Sequence, residues 1–181
     1  MRQKKVLIIT ANTGVELAEL QQPLEFLRGK GIETIHAAIK NDPVQTMEHD
    51  SKPAISFEPD SCLSSVNVDD YALLLIPGGT VNADQLRVDT DAQRIIQHFS
   101  DHGRPIAAIC HAPWVLINAE RIQGKTLTSY SSIRLDLQNA GATWRDEEVH
   151  RCAMQDWVLI TSRCPDDIPA FNQAILKELQ S

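Results

Sequence analysis

The stretch PIAAICHAPWVL, Pro105 to Leu116, decides how the rest of the chain is read. Its first half is a short apolar run with no polar face, the pattern of a strand buried on both sides. Its second half begins a helix-period segment with Pro113 in the first turn, where a missing N–H has no cost. Cys110 and His111 stand on the turn between them. Ala108 and Ala112 lie two positions to either side of the thiol, the spacing that lets a tight strand-to-helix elbow expose a nucleophile.

The same alternation of buried strand and amphipathic helix extends outward in both directions. KVLIIT reads as a strand, Leu17 to Lys30 as a helix, and ETIHAAI as a second strand. A polar, proline-punctuated excursion from Asp42 to Pro59 contains VQTMEH and AISFEP, which pair as a hairpin. YALLLI is a strand ended by Pro77-Gly78-Gly79, and Asp89 to His102 is a helix. After the elbow come a helix from Ala112 to Ala119, a short strand at KTLTS and a helix from Ser132 to Ala140. ATWRDEEVHRCAMQDWVLITS supplies further strands, and PDDIPAFNQAILKELQ closes the chain as a helix with acids at its start. The expected fold is one α/β domain over residues 1–181: a doubly wound, mostly parallel sheet with helices on both faces and a small hairpin excursion.

Composition narrows the function classes. The 181 residues carry a net charge of −7 with no polybasic stripe, which argues against nucleic acid or an anionic membrane surface as partner. The opening MRQKKVLIIT has a basic start and an apolar run, but VLII is too short for a signal core or a span, so the cytoplasm is the expected location. Cys62, Cys110, Cys152 and Cys164 form no C-x-x-C pair and read as reduced thiols. His98 and His102 share a helix face four residues apart, yet no further ligand is placed to complete a metal site, and no cofactor is expected.

At the elbow, unpaired N–H groups and the positive end of the next helix favour thiolate, so the expectation is a thiol more acidic than free cysteine. Gly78 and Gly79 end a neighbouring strand and, with the N–H of His111, are candidate oxyanion donors. The competing reading is that Cys110 is a small buried hydrophobe and His111 points away from it.

With these residues in view, the chain resembles the PfpI/ThiJ superfamily, and its PfpI-type branch. The likeness runs through VLIITAN, GVELAELQQP, DDYALLLIPGG, PIAAICHAPWVL, GKTLTSY, NAGATW and TSRCPDDIPAFN. It implies a flavodoxin-like fold and assembly into homodimers or larger homo-oligomers. It also implies Cys110 as nucleophile, His111 beside it, and a protonated glutamate from the first helix region facing the sulfur, Glu19 first and Glu16 second. Asp84 is implied to orient the histidine from a neighbouring subunit, and Tyr130 to line the pocket. On residue type alone, Glu16 and Glu19 also fit a solvated helix face, Asp84 a surface acid and Tyr130 plain packing.

Three activities follow from such a site. Cys110 acts on a small reactive carbonyl, as a glutathione-independent glyoxalase or deglycase; or it attacks a peptide, as an intracellular cysteine peptidase; or it serves as a redox sensor in a stress protein without turnover. Glutamine amidotransfer is set aside, because no H-x-E follows Cys110. The reading adopted is carbonyl chemistry, since a one-cysteine pocket with a proton-donating acid suits an aldehyde better than an amide.

Overall fold

In the computed structural model, which describes residues 4–181, the apolar run from Val6 to Ile9 is wholly buried. Met1 to Gln3, the basic start of the signal-like opening, lie outside the described residues. The first half of the chain forms β1 (Lys5–Thr10), β2 (Thr13–Glu16), α1 (Leu17–Gly29), β3 (Glu33–Ala38), β4 (Val44–Glu48), β5 (Lys52–Phe57), β6 (Ser61–Cys62) and β7 (Leu73–Ile76). Next come α2 (Thr80–Val88), α3 (Thr90–Asp101), β8 (Ile106–Ile109), α4 (Pro113–Asn118), β9 (Thr126–Leu127) and α5 (Arg134–Asn139). The chain ends with β10 (Thr143–Trp144), β11 (His150–Cys152), β12 (Leu159–Ser162) and α6 (Ile168–Gln180).

Seven strands form the central sheet in the order β11-β12-β8-β7-β1-β3-β6. All its pairings are parallel except β11 with β12 at the edge. The doubly wound, flavodoxin-like class expected from the sequence is the observed one. Alternate residues of β1 explain the unbroken apolar run. Val6 and Ile8 pack with Leu20, Leu27, Phe171 and Ile175 of α1 and α6, whereas Leu7 and Ile9 pack with Ile95, Phe99 and Leu116 of α3 and α4. Each such side chain contributes about 1.5–3 kcal/mol when buried, so a strand covered on both faces favours apolar residues at every position.

Three elements differ from the sequence expectation. The hairpin β4–β5 is extended by β2, which pairs in parallel with β4 to make a separate three-stranded sheet. Glu16 therefore ends a strand and does not lie in the first helix. The segment after Pro77-Gly78-Gly79 is helical, as α2. Its signal is weak because Asn82 spends its side chain on tertiary contacts, accepting from Ala11 N at 2.8 Å and donating to Pro77 O at 2.9 Å. The helix expected over Ala112 to Ala119 is only the six residues of α4.

Strand order reverses between β1 and β7: from β1 the chain first winds outward to β3, then returns to β7 on the other side. The carboxyl ends of strands at such a reversal form the natural ligand crevice of this sheet class. The Pro77-Gly78-Gly79 turn leaves β7 there, and Cys110 leaves adjacent β8.

Candidate active site

Cys110 follows the last residue of β8 with φ 64°, a left-handed conformation rare for a residue other than glycine. Two backbone hydrogen bonds hold it there: Cys110 N donates to Ser162 O at 3.0 Å, and Tyr130 N donates to Cys110 O at 2.9 Å. Ala108 and Ala112 are fully buried beside it, so the small-residue spacing does serve an elbow. The thiol is 6 % exposed.

His111 does not point away. Its Nδ1 lies 3.2 Å from Cys110 Sγ, and its Nε2 is 3.2 Å from Ser132 Oγ and 3.5 Å from Thr80 Oγ1. The ring is stacked on Tyr130, with centroids 4.9 Å apart, and meets Trp114 edge-on at 5.4 Å. Tyr130 thus lines the cavity, although 43 % of its surface remains exposed.

Glu19 is completely buried on the inner face of α1. Its Oε2 accepts from Gly78 N at 2.8 Å, while its Oε1 has no hydrogen-bond partner. The carboxyl faces Cys110, and each group acts on the other's proton affinity. Glu16 is nearly buried too, but Oε2 accepts from His49 N at 2.9 Å, so it braces the β4–β5 turn. The solvated-helix-face reading fails for both acids. Of the two, Glu19 is the one beside the thiol.

The glycines divide their roles. Gly78 gives its N–H to Glu19, which removes it from the expected oxyanion pair. Gly79, at φ 94°, and His111 instead direct their N–H groups at the Cys110 sulfur. A side chain at Gly79 would collide with Gly14 O and Glu16 N. Asp84 is exposed on α2 and does not line the pocket of its own chain.

Electrostatics correct one expectation. Burial first, and then the charge of Glu19, push the Cys110 thiol up, against the N–H groups of Gly79 and His111 that lower it. The helix-end argument loses because α4 is short and the sulfur is desolvated. Burial also raises Glu19 to about 8, with the charge of Glu16 adding and the Gly78 N–H opposing. His111 is lowered by burial, partly offset by the charge of Asp50. At neutral pH the site therefore holds a protonated Glu19, a neutral His111 and an un-ionised Cys110 thiol, so any loss of the thiol proton to His111 has to accompany attack on a substrate.

The cavity over the sulfur is about 120 Å³, and His49, Asp50 and Pro165 complete its lining. These three, with Thr80 and Ser132, escaped the sequence reading. Asp50 lies in the polar hairpin excursion, and no local pattern signals where a hairpin tip will land. A wider depression of about 450 Å³ beside Arg151 and Lys177 is lined by no cysteine or histidine. Elsewhere, His98 stacks on His102 and meets Asp69 at 3.1 Å, and no cluster of three or more metal-ligating side chains occurs among the described residues. None of the described helices is long and apolar enough to cross a membrane.

Comparison with known proteins bears on the fold and the family. General stress protein 18 of Bacillus subtilis is 46 % identical over 121 residues, covering 67 % of this chain and 68 % of its own. Drosophila melanogaster DJ-1beta superimposes with a TM-score of 0.86 at 30 % identity, covering 98 % of this chain and 90 % of its own. A two-domain protein from Anabaena variabilis, with DJ-1/ThiJ/PfpI-like and ferritin-like domains, gives a TM-score of 0.87 at 30 % identity. This chain is covered over 98 % of its length there but spans only 48 % of that protein. The match to the DJ-1/PfpI family runs over residues 4–178, from β1 into the last helix, and the chain belongs to that family.

Proposed function

We propose that this protein is a cysteine-dependent enzyme acting on small reactive carbonyl compounds in a stress response. The observation that carries the reading is a small cavity in which Cys110 meets a neutral base on one side and a protonated carboxyl on the other. His111 Nδ1 takes the thiol proton, and the sulfur forms a bond to the aldehyde carbon of a compound such as methylglyoxal. The carbonyl electron pair moves onto oxygen, where the N–H groups of Gly79 and His111 receive it. The oxyanion takes a proton back from His111, whose freed nitrogen removes the proton on the first carbon while Glu19 donates to the ketone oxygen. His111 then delivers its proton to the second carbon and Glu19 recovers one from the hydroxyl of the first, leaving a lactoyl thioester. Water cleaves that thioester to lactate and restores the thiol.

The cavity supports a two- or three-carbon substrate over a peptide. At about 120 Å³ it is smaller than the roughly 300–1,000 Å³ of pockets that take drug-sized ligands. The name of the Bacillus subtilis relative supports a stress role. A second reading, redox sensing at Cys110, is favoured by the same N–H groups and protonated acid, which would bind the oxygens of an oxidised sulfur. In either reading the chain assembles with copies of itself, exposed Asp84 on the outer face of α2 being free to reach a neighbour.

Purified protein and a Cys110→Ala variant are given methylglyoxal without glutathione, a fluorogenic peptide and mild peroxide in parallel. Lactate formed by the wild type and abolished in the variant supports carbonyl chemistry. Equal loss of methylglyoxal with both proteins removes that reading. Peptide cleavage that depends on Cys110 replaces it with a peptidase, and stoichiometric sulfinate without turnover replaces it with a sensor.

A further inference from the structure

We propose that Asp50 is a positioning residue which, through the hydroxyl of Thr80, sets which nitrogen of His111 carries the proton. This rests on the reading that Cys110 and His111 form the reactive pair.

Asp50 reaches the site from the tip of the β4–β5 hairpin. There His49 and Asp50 adopt φ 54° and 60° in succession, a conformation for which glycine and asparagine are the low-energy choices. The turn is retained by Glu16, whose carboxyl accepts from His49 N at 2.9 Å, and by Ser51 N donating to Glu48 O at 3.3 Å. Strain of this kind persists where the surroundings over-determine it, and it clusters at functional sites.

What the turn delivers is a carboxylate with both oxygens on one residue. Asp50 Oδ1 accepts from Thr80 N at 2.8 Å, and Oδ2 accepts from Thr80 Oγ1 at 2.6 Å. Gly79, at the cap position of α2, has no side chain to do this, so the acid comes from thirty residues away. A charge-assisted O–H bond of that length commits the one hydroxyl proton to Asp50. Only lone pairs of Thr80 Oγ1 are then left to face His111 Nε2, 3.5 Å away.

A nitrogen facing lone pairs is stabilised when it carries hydrogen. His111 is thereby held as the Nε2–H tautomer, leaving Nδ1 unprotonated 3.2 Å from the Cys110 sulfur. Ser132 Oγ, 3.2 Å from the same Nε2, is a freely rotating hydroxyl and accepts as well. When the thiol proton moves to Nδ1, the charge of Asp50 also favours the imidazolium that forms. The arrangement does the work of an acid–histidine–cysteine triad with a threonine hydroxyl inserted.

The test uses the full chain. Long-range proton–nitrogen NMR reads the His111 tautomer, with a His111→Gln variant to assign the signal. Peptide-resolved mass spectrometry reads the rate of Cys110 alkylation by iodoacetamide at neutral pH. In Asp50→Asn the amide donates to Thr80 Oγ1, turning the hydroxyl proton toward Nε2. The expected result is a gain of the Nδ1–H tautomer and about a tenfold slower alkylation. Thr80→Val loses the tautomer bias with a similar slowing, and Thr80→Ser keeps both properties of the wild type. An Nδ1–H tautomer in the wild type overturns the proposal. So does an Asp50→Asn protein that melts earlier while its tautomer and alkylation rate stay unchanged, since Asp50 would then be a helix cap only. Neither measurement needs carbonyl turnover, so failure of the wild type to consume methylglyoxal would strike the functional reading alone.

Discussion

The backbone N–H of Gly78 donates to Oε2 of Glu19 over 2.8 Å, joining positions fifty-nine residues apart. The contact ties the turn after β7 to the inner face of α1 and holds the buried acid against Cys110. It requires glycine: a Cβ at position 78 would lie 2.6 Å from Cys110 Cβ and 2.8 Å from Ile109 O, and would collide with Glu19 Oε2.

Gly78→Ala is accordingly expected to cost about 1–3 kcal/mol of stability through overpacking. A displacement of the acid by about 1 Å is expected to lower the proposed carbonyl turnover by about 100-fold. Denaturant unfolding and steady-state kinetics check the two effects. Unchanged turnover in a folded variant would mean that the turn tolerates a shift without disturbing the site.

The raised proton affinity of Glu19 has a consequence for stability. An unfolded glutamate titrates at 4.5 and the folded one at about 8, so between those values the native state holds the extra proton. Its contribution to stability is full below pH 4.5 and is lost as pH rises to about 8. Glu19→Gln removes this dependence, and its stability against pH is expected to be flatter in that window by up to about 1.4 kcal/mol per pH unit. Urea melts at several pH values decide it; parallel curves for the two proteins would show that Glu19 is ionised at neutral pH.

Catalysis follows the same groups. In the proposed carbonyl reaction, turnover needs His111 neutral and Glu19 protonated, so kcat/KM is expected to form a plateau across neutral pH. The acid limb lies below the ordinary imidazole value of 6.5, because burial lowers His111, and the alkaline limb lies near 8, where Glu19 ionises. A rate that keeps climbing well above that pH would contradict the role given to Glu19.

The cysteine most open to alkylation is expected to be another one. Cys62, at the end of β6, is partly exposed, and hydrogen bonds from Ser64 and then Ser65 lower its proton affinity, whereas Cys110 is buried and raised. Iodoacetamide at neutral pH should label Cys62 first, and Ser64→Ala should slow that labelling. Peptide mapping of a time course gives the order directly.

Lys125 offers a prediction remote from the site. It is fully buried, donates to Trp157 O at 2.8 Å and to Met154 O, and lies 3.6 Å from the Trp157 ring centre. Lys125→Met keeps the bulk but strands two carbonyls, and should cost about 1–3 kcal/mol. The melting temperature should fall by about 2–4 °C for each kcal/mol in a chain of this size. An equally stable variant would show that water or a relaxed loop satisfies both carbonyls.

The strand order along the chain, the elbow and its cysteine were legible from the residues alone, because buried strands, amphipathic helices and tight turns each impose a local pattern. Glu19 came from family resemblance; nothing in LAELQQP distinguishes a buried acid from a solvated one. Only the tertiary structure decided that Glu16 braces a turn, that Gly78 serves Glu19, and that Asp50 and Thr80 stand behind His111. The acidity of the thiol was decided there as well. The elbow pattern alone favours thiolate, but desolvation outweighs a few N–H dipoles, and desolvation is the sum of everything that folds over the sulfur. Burial and long-range hydrogen bonds depend on segments distant in the chain, so no window of sequence around Cys110 contains them.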